Sequence, residues 1–237
     1  ARRADGLVVL SEPARRYFLD EYGREAAVVP NGVEPRPSRP ARLVRERWGL
    51  EPGSYALFVG RLVPEKRPEL LLEAWRGLRT GRRLVLAGGP GGAPAFRERV
   101  LALAARDPRV VAAGFAEGEL LDELYSNAWC YVLPSDVEGM PMALLEAMSH
   151  GLCCVTSDAP ELAAALGGAG AVFPRGDAAA LRGELASLMA EPARAAALGE
   201  AARARALSEF GWDRAVARTV GVYEGALRAS RGAGGSR

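Results

Sequence analysis

The feature that most limits how this chain can fold is a repeated alternation of short, largely apolar, β-rich runs with segments of helical pattern. The runs are 7–10, 27–29, 55–59, 83–87, 110–113, 129–133, 153–156 and 171–173. Their apolarity is continuous rather than alternating, as expected of strands buried on both faces of a parallel sheet. Helical pattern lies between them near 13–22, 68–78, 95–106, 119–127, 142–149, 160–166 and 178–189. Strand and helix in turn predict an α/β fold with a doubly wound parallel sheet and right-handed crossovers. Two further helices, near 193–208 and 212–230, close the chain.

A linker is expected over 30–40, where the turn-forming pair Asn31-Gly32 lies among Pro30, Pro35, Pro37 and Pro40. The residues before it supply one strand, one helix and part of another strand, too little to bury a core alone. The divisions read from the sequence are 1–33, a remnant of another domain with the start of the linker, and 34–211, the main domain. A helix over 212–230 and a flexible Gly/Ser-rich tail over 231–237 follow.

Several function classes are excluded early. The net charge is +2, and no block of basic residues interleaved with aromatics marks a nucleic-acid surface. Cys130, Cys153 and Cys154 are odd in number, and two of them are adjacent in an apolar run. Neither point suits a disulfide framework, and both fit a reducing compartment. No run reaches the length of a membrane span, and Arg2, Arg3 and Asp5 lead only into a short strand-like run, unlike a signal peptide. His150 is the single histidine, so a histidine-based metal site or relay is not expected. It closes a helix before Gly151, where a cation suits the dipole. Trp48, Trp75 and Trp129 read as core, as do Cys153 and Cys154.

Two loops that follow strands carry the chemistry. Residues 134–148 read PSDVEGMPMALLEAM. Pro141 suits the first helical position, leaving the N–H groups of Gly139, Met140 and Met142 free at a helix start, a site for a diphosphate. Glu138 and Glu146 lie eight residues apart, at most roughly 12 Å along a helix, enough to reach from a sugar past a diphosphate to a ribose. The alternative is a solvated loop carboxylate and a surface helix residue. Residues 58–68 read FVGRLVPEKRP. Gly60 permits a close turn, and Arg61 and Lys66, the only lysine, can meet phosphate oxygens. The alternative pairs Lys66 with Glu65 or Glu69. A third loop, 87–94 (AGGPGGAP), lacks dinucleotide-binding spacing and reads as a structural turn. Asp136-Val137-Glu138 has no companion acidic cluster or histidine, and no metal role is expected of it.

With these motifs in order, the chain resembles glycosyltransferase family 4. Gly60-Arg61 and Lys66 match that family's Gly-Arg-x4-Lys loop, and Glu138 and Glu146 match its Glu-x7-Glu motif. VVPNG at 28–32, Gly114-Phe115 and FGWDRA at 210–215 extend the likeness over nearly the whole chain. The resemblance implies a Rossmann-like domain forming one half of a two-domain GT-B enzyme, the donor-binding half of a retaining, hexosyltransferase-type glycosyltransferase. It implies that Arg61 and Lys66 bind the diphosphate and neutralise its charge, and that Glu138 holds sugar hydroxyls at the reacting carbon. Gly60, Gly139, Met140, Pro141 and Leu145 would shape the donor site, Gly114 would lie at the base, and Glu146 would bind the ribose. No metal or other cofactor is implied.

The partners implied are a nucleotide sugar, an acceptor glycan or lipid-linked sugar, and an N-terminal domain that the chain lacks, onto which the last helix would cross. The place implied is the cytoplasm, with room for peripheral contact at the inner face of the membrane. On that reading the chain alone binds donor but transfers little sugar. Two alternatives stay open: a non-catalytic nucleotide-sugar-binding module or subunit, and a nucleotide-sugar epimerase of GT-B architecture.

Overall fold

The computed structural model describes residues 4–89 and 91–234. The chain opens with β1 (Val8–Val9), α1 (Glu12–Tyr22) and β2 (Ala27–Val28), the two strands forming a parallel pair outside the main sheet. Ser11 caps α1 by accepting from the Ala14 N–H at 3.3 Å, and Gly23 ends it with φ 59. No residue of α1 is buried; the helix meets the main body through α7 (Pro160–Leu166).

The main body runs α2 (Leu43–Trp48), β3 (Tyr55–Val59), α3 (Pro68–Arg76), β4 (Arg83–Ala87), α4 (Pro94–Ala104), β5 (Val110–Gly114) and α5 (Gly118–Asn127). It continues through β6 (Cys130–Leu133), α6 (Met142–Ser149), β7 (Cys153–Ser157), α7 (Pro160–Leu166), β8 (Ala171–Phe173), α8 (Ala178–Ala190), α9 (Pro192–Glu209) and α10 (Trp212–Gly234). The six strands β3 to β8 form one parallel sheet in the order β5-β4-β3-β6-β7-β8. Tyr55, Ala56, Leu57 and Phe58 of β3 are all fully buried, so both faces of the central strand are covered, as continuous apolarity requires. Proline opens α3, α4, α7 and α9, where its missing N–H is harmless.

The expected strands 55–59, 83–87 and 171–173 and the helices 142–149 and 160–166 coincide with those observed, residue for residue. Helix α2 was not anticipated. Its first N–H groups, of Arg42 and Val44, donate to Oε2 of Glu123 at 3.0 and 3.1 Å, a carboxylate on α5 that is itself 1% exposed. The cap comes from far along the chain, so no local signal marks the helix. The tail expected to be flexible from residue 231 is helical as far as Gly234. Residues 1–3, Pro90 of the glycine-rich loop and 235–237 lie outside the described residues.

The linker runs along α5. Arg36 donates to Asp122 at 2.9 Å, the Arg39 N–H to Ser126 Oγ at 3.0 Å, and Asn127 to the Arg39 carbonyl at 3.0 Å. Val33 then meets the start of α10: its N–H donates to the Phe210 carbonyl at 2.6 Å, and a parallel bridge joins it to Gly211. Gly32 lies flat against the Trp212 ring, where any side chain would collide. Beyond this joint α10 passes back beside Gly6, with Val216, Val220, Tyr223 and Leu227 exposed.

Helix α9 packs on α6 and β7 through Ala195, Gly199, Ala202 and Ala206, small residues at helical spacing that let the backbones approach closely. A Cβ on Gly199 would strike the Gly151 carbonyl oxygen, whereas one on Gly183 in α8 would meet nothing. Gly199→Ala should therefore destabilise the chain by about 1–3 kcal/mol, and Gly183→Ala should stabilise it by about 0.5–1 kcal/mol. Thermal unfolding of the two variants checks this contrast; equal midpoints would contradict the packing described.

Candidate functional site

The sheet order reverses between β3 and β6, the two strands from which the chain winds in opposite directions. Crossovers there depart to opposite sides and leave a crevice at the carboxyl ends of the strands, the place where ligands of such sheets bind. The two loops that follow β3 and β6 line it.

After β3 the backbone turns at Gly60 and makes a short 3-10 turn at Pro64–Lys66. The Lys66 stem lies over Gly60, where a Cβ would be 3.3 Å from Lys66 Cδ. This brings Lys66 Nζ to 2.6 Å from Glu138 Oε1, with the side chains only 14% and 9% exposed. Ser135 Oγ donates to the same carboxylate oxygen at 2.7 Å. Both bonds fall on Oε1, so among the described residues Oε2 has no protein donor. The loops are joined twice more, by the Asp136 N–H to the Glu65 carbonyl at 2.9 Å and by an ion pair of Arg67 Nε with Asp136 Oδ2 at 3.3 Å. Arg67 takes a left-handed backbone, φ 52, at the start of α3, a strained state for a residue with a side chain.

The structure resolves the alternatives open for Lys66 and Glu138. Lys66 pairs with neither Glu65 nor Glu69; Glu65 lies 3.8 Å from Arg61, and Glu69 pairs with Arg67 at 3.2 Å. Glu138 is not a solvated loop carboxylate. Arg61, by contrast, is 62% exposed and stands at the rim, outside the Lys66–Glu138 pair.

Helix α6 starts at Met142, and Pro141 is its N-cap rather than its first helical residue, with no side chain capping it. Among the described residues the N–H groups of Gly139, Met140 and Met142 have no acceptor. Uncapped N–H groups make the helix start attractive to an anion. The Leu145 side chain is fully buried and its N–H is bonded to the Pro141 carbonyl at 3.3 Å. Met140 is also buried, 8% exposed, and its carbonyl accepts from Asn31 at 3.0 Å.

One turn further along α6, Glu146 is half-buried rather than a surface residue. Tyr125 of α5 donates to its Oε2 at 3.1 Å. Burial raises the pKa of this carboxyl above its ordinary 4.5, against the opposing pull of the Tyr125 hydroxyl and of Arg36. His150 ends α6, but burial lowers its pKa, which favours a neutral ring over the expected capping cation. The ring stacks on Tyr125 at 5.3 Å.

Gly114 closes β5 with φ 72, and its carbonyl accepts the Gly88 N–H at 2.8 Å. The glycines of the third loop admit the protein's own groups: the Gly60 carbonyl against Gly88, the exposed Phe115 ring against Gly89, and Val63 against Gly91. Among the described residues no three His, Cys, Asp or Glu side chains are placed to hold a metal ion, and no helix is long and apolar enough to cross a membrane. Sequence reasoning passed over Ser135, Arg67 and Tyr125. Ser135 alone left a local trace, three residues before Glu138 in one loop.

Comparison with known proteins converges on one family. The sequence profile of glycosyl transferases group 1 matches residues 43–205. D-inositol 3-phosphate glycosyltransferase of Kineococcus radiotolerans is 35% identical over 97% of this chain and 60% of its own length. A GDP-mannose-dependent alpha-(1-6)-phosphatidylinositol monomannoside mannosyltransferase of Mycolicibacterium smegmatis is 30% identical over 95% of this chain and 64% of its own. The chain thus spans under two thirds of the length of these curated relatives. Among solved structures, sucrose-phosphate synthase of Thermosynechococcus elongatus superposes with a TM-score of 0.83 at 27% identity, covering 96% of this chain and 59% of the other. Anabaena HepE in complex with UDP-glucose gives 0.81 at 18% identity over 93% and 63%, a likeness of fold. Such neighbours are GT-B glycosyltransferases, and the doubly wound sheet is one half of that architecture.

The raised pKa of Glu146 has a consequence for stability. The folded chain holds that proton more tightly than the unfolded chain does. The resulting stabilisation is full below about 4.5 and is lost as pH rises through the higher folded value. Glu146→Gln has no such loss. Its melting temperature should match the wild type near pH 4 and exceed it near pH 7; a difference independent of pH would contradict the assignment.

Proposed function

The chain belongs to glycosyl transferases group 1, and on that footing we propose that it is the donor-binding half of a retaining hexosyltransferase of family 4. Its donor is a nucleoside-diphosphate sugar and its acceptor a cell-envelope glycan or glycolipid. The observation that carries this reading is the Lys66–Glu138 pair at the switch point, beside the unpaired N–H groups that open α6.

Each group has a chemical task. The diphosphate lies over the start of α6, where Gly139, Met140 and Met142 donate to it. Lys66 turns part of its charge from Glu138 to the phosphate, with Arg61 closing from the rim. Positive charge placed beforehand at the leaving phosphate stabilises it most as the glycosidic bond breaks. Glu138 keeps Oε1 on Ser135 and Lys66 and offers Oε2 to a sugar hydroxyl, which fixes the ring at the reacting carbon. Glu146 takes the ribose, and the backbone near Gly114 lies at the base. The acceptor hydroxyl loses its proton to the departing phosphate on the same face, so the anomeric configuration is retained. No metal takes part.

The opposite wall of the cleft belongs to a further domain, in keeping with the share of the relatives that the chain spans. Its packing surface is the apolar stripe of Val216, Val220 and Tyr223 on α10, all exposed in this chain. Without that wall the chain binds donor and transfers little sugar. Release of free nucleotide from a sugar donor, with and without acceptor, separates this reading from a binding module that never turns over.

Lys66→Ala should weaken binding of a nucleoside diphosphate by about 1.5–3 kcal/mol, the value of a hydrogen bond to a charged group, and leave the plain nucleoside unaffected. Calorimetric titration with both ligands checks this, and an equal loss for the two would overturn the phosphate assignment. Glu138→Gln should impair sugar-donor recognition and leave nucleoside-diphosphate affinity nearly intact. An equal effect on both ligands in the same titrations would place Glu138 away from the sugar.

A further inference from the structure

Glu146 does not set its own direction. Its Oε2 accepts from the hydroxyl of Tyr125, a residue on a different helix that is 1% exposed. That hydroxyl also lies 3.2 Å from the Ala143 carbonyl in the first turn of α6. It has one proton to donate, and an ionised carboxylate is the stronger acceptor of the two. The Tyr125 ring cannot swing away. His150 stacks on one side at 5.3 Å with planes 16° apart, and Tyr131 lies at 6.2 Å. Tyr131 is itself tied to β3 by its hydroxyl, 3.3 Å from the Val59 carbonyl. The pinned oxygen is Oε2; among the described residues Oε1 has no donor.

We infer that Tyr125 is a positioning residue for Glu146, fixing the carboxylate so that Oε1 meets the vicinal diol of the donor's ribose. This rests on the reading of Glu146 as the ribose-binding carboxylate. A free glutamate side chain gives up rotamer freedom when it captures a ligand, and a carboxylate already held gives up less. The hydroxyl also favours the ionised form of Glu146, the form that accepts from two sugar hydroxyls. The charged and titratable groups facing this carboxylate are Arg36 of the linker, Asp122 and Tyr125 of α5 and Tyr131 of β6; His150 faces the Tyr125 ring.

The test titrates the chain with uridine, guanosine and adenosine diphosphates and with their 2′,3′-dideoxy counterparts. The wild type should prefer the ribose forms, and Glu146→Gln should lose that preference. Tyr125→Phe should reduce it by roughly fivefold to tenfold with dideoxy affinity unchanged, and should add nothing to Glu146→Gln. In Tyr125→Phe the preference should also fade at a higher pH on acidification, because the hydroxyl no longer holds the carboxyl pKa down. If Glu146→Gln loses the preference while Tyr125→Phe keeps both its size and its pH onset, the positioning role is overturned and the ribose reading stands. A wild type that binds no diphosphate, or binds both sugar forms equally, overturns the ribose reading and this inference with it. Should Tyr125→Phe fail to fold, Glu146→Asp takes its place, retaining the charge but withdrawing it from the hydroxyl. The same loss is expected, and an undiminished preference overturns the role.

Discussion

The ion pair of Lys66 and Glu138 is where the two wings of the sheet meet at their ligand-facing end. Each partner follows a strand of the central pair, Lys66 after β3 and Glu138 after β6, and the strand order reverses between them. Taking two charges out of water is unfavourable, and the attraction between them returns that free energy only when the geometry is good and further bonds complete the shell. Here Ser135 completes it on one side. Two backbone and side-chain links between the same loops, Asp136 to Glu65 and Arg67 to Asp136, hold the pair in place. The strained backbone of Arg67 belongs to this arrangement, since it turns the chain from the Lys66 loop into α3 within one residue.

The second carboxylate depends on a different part of the frame. Helix α5 presents Asp122, Glu123, Ser126 and Asn127 to the linker and the start of α2, and Tyr125 to Glu146. One helix thus fixes both the approach of the chain into the domain and the direction of a binding group. The same burial that makes Glu146 a directed acceptor raises its pKa and lowers the stability of the folded chain at neutral pH, a trade expected where a site is built for a ligand rather than for packing.

Much of this was legible in the sequence, for physical reasons that differ by element. Strands such as 55–59 are buried on both faces, so their apolarity is continuous and their limits are sharp. Proline at the first turn and glycine at the end fixed the helices nearly as well. The candidate site was legible where its groups share a loop: Gly60 with Lys66, and Glu138 with the start of α6. What was not legible depends on partners brought together only by the fold. Helix α2 is capped by Glu123, Lys66 is paired with Glu138, and Glu146 is held by Tyr125; no local pattern records any of these. Leu145 stands inside a motif but on the core side of its helix, and the 87–94 glycines make room for neighbouring loops.

The central claim is that the switch point between β3 and β6 is a diphosphate site, with Lys66 and the first N–H groups of α6 as its two jaws. A crystal structure of the chain with a bound nucleoside diphosphate tests it most directly. The expected result has phosphate oxygens within hydrogen-bonding distance of Lys66 Nζ and of the Gly139, Met140 and Met142 N–H groups, with the ribose at Glu146. A diphosphate bound elsewhere on the chain, with the Lys66–Glu138 pair undisturbed and the crevice empty, would contradict it.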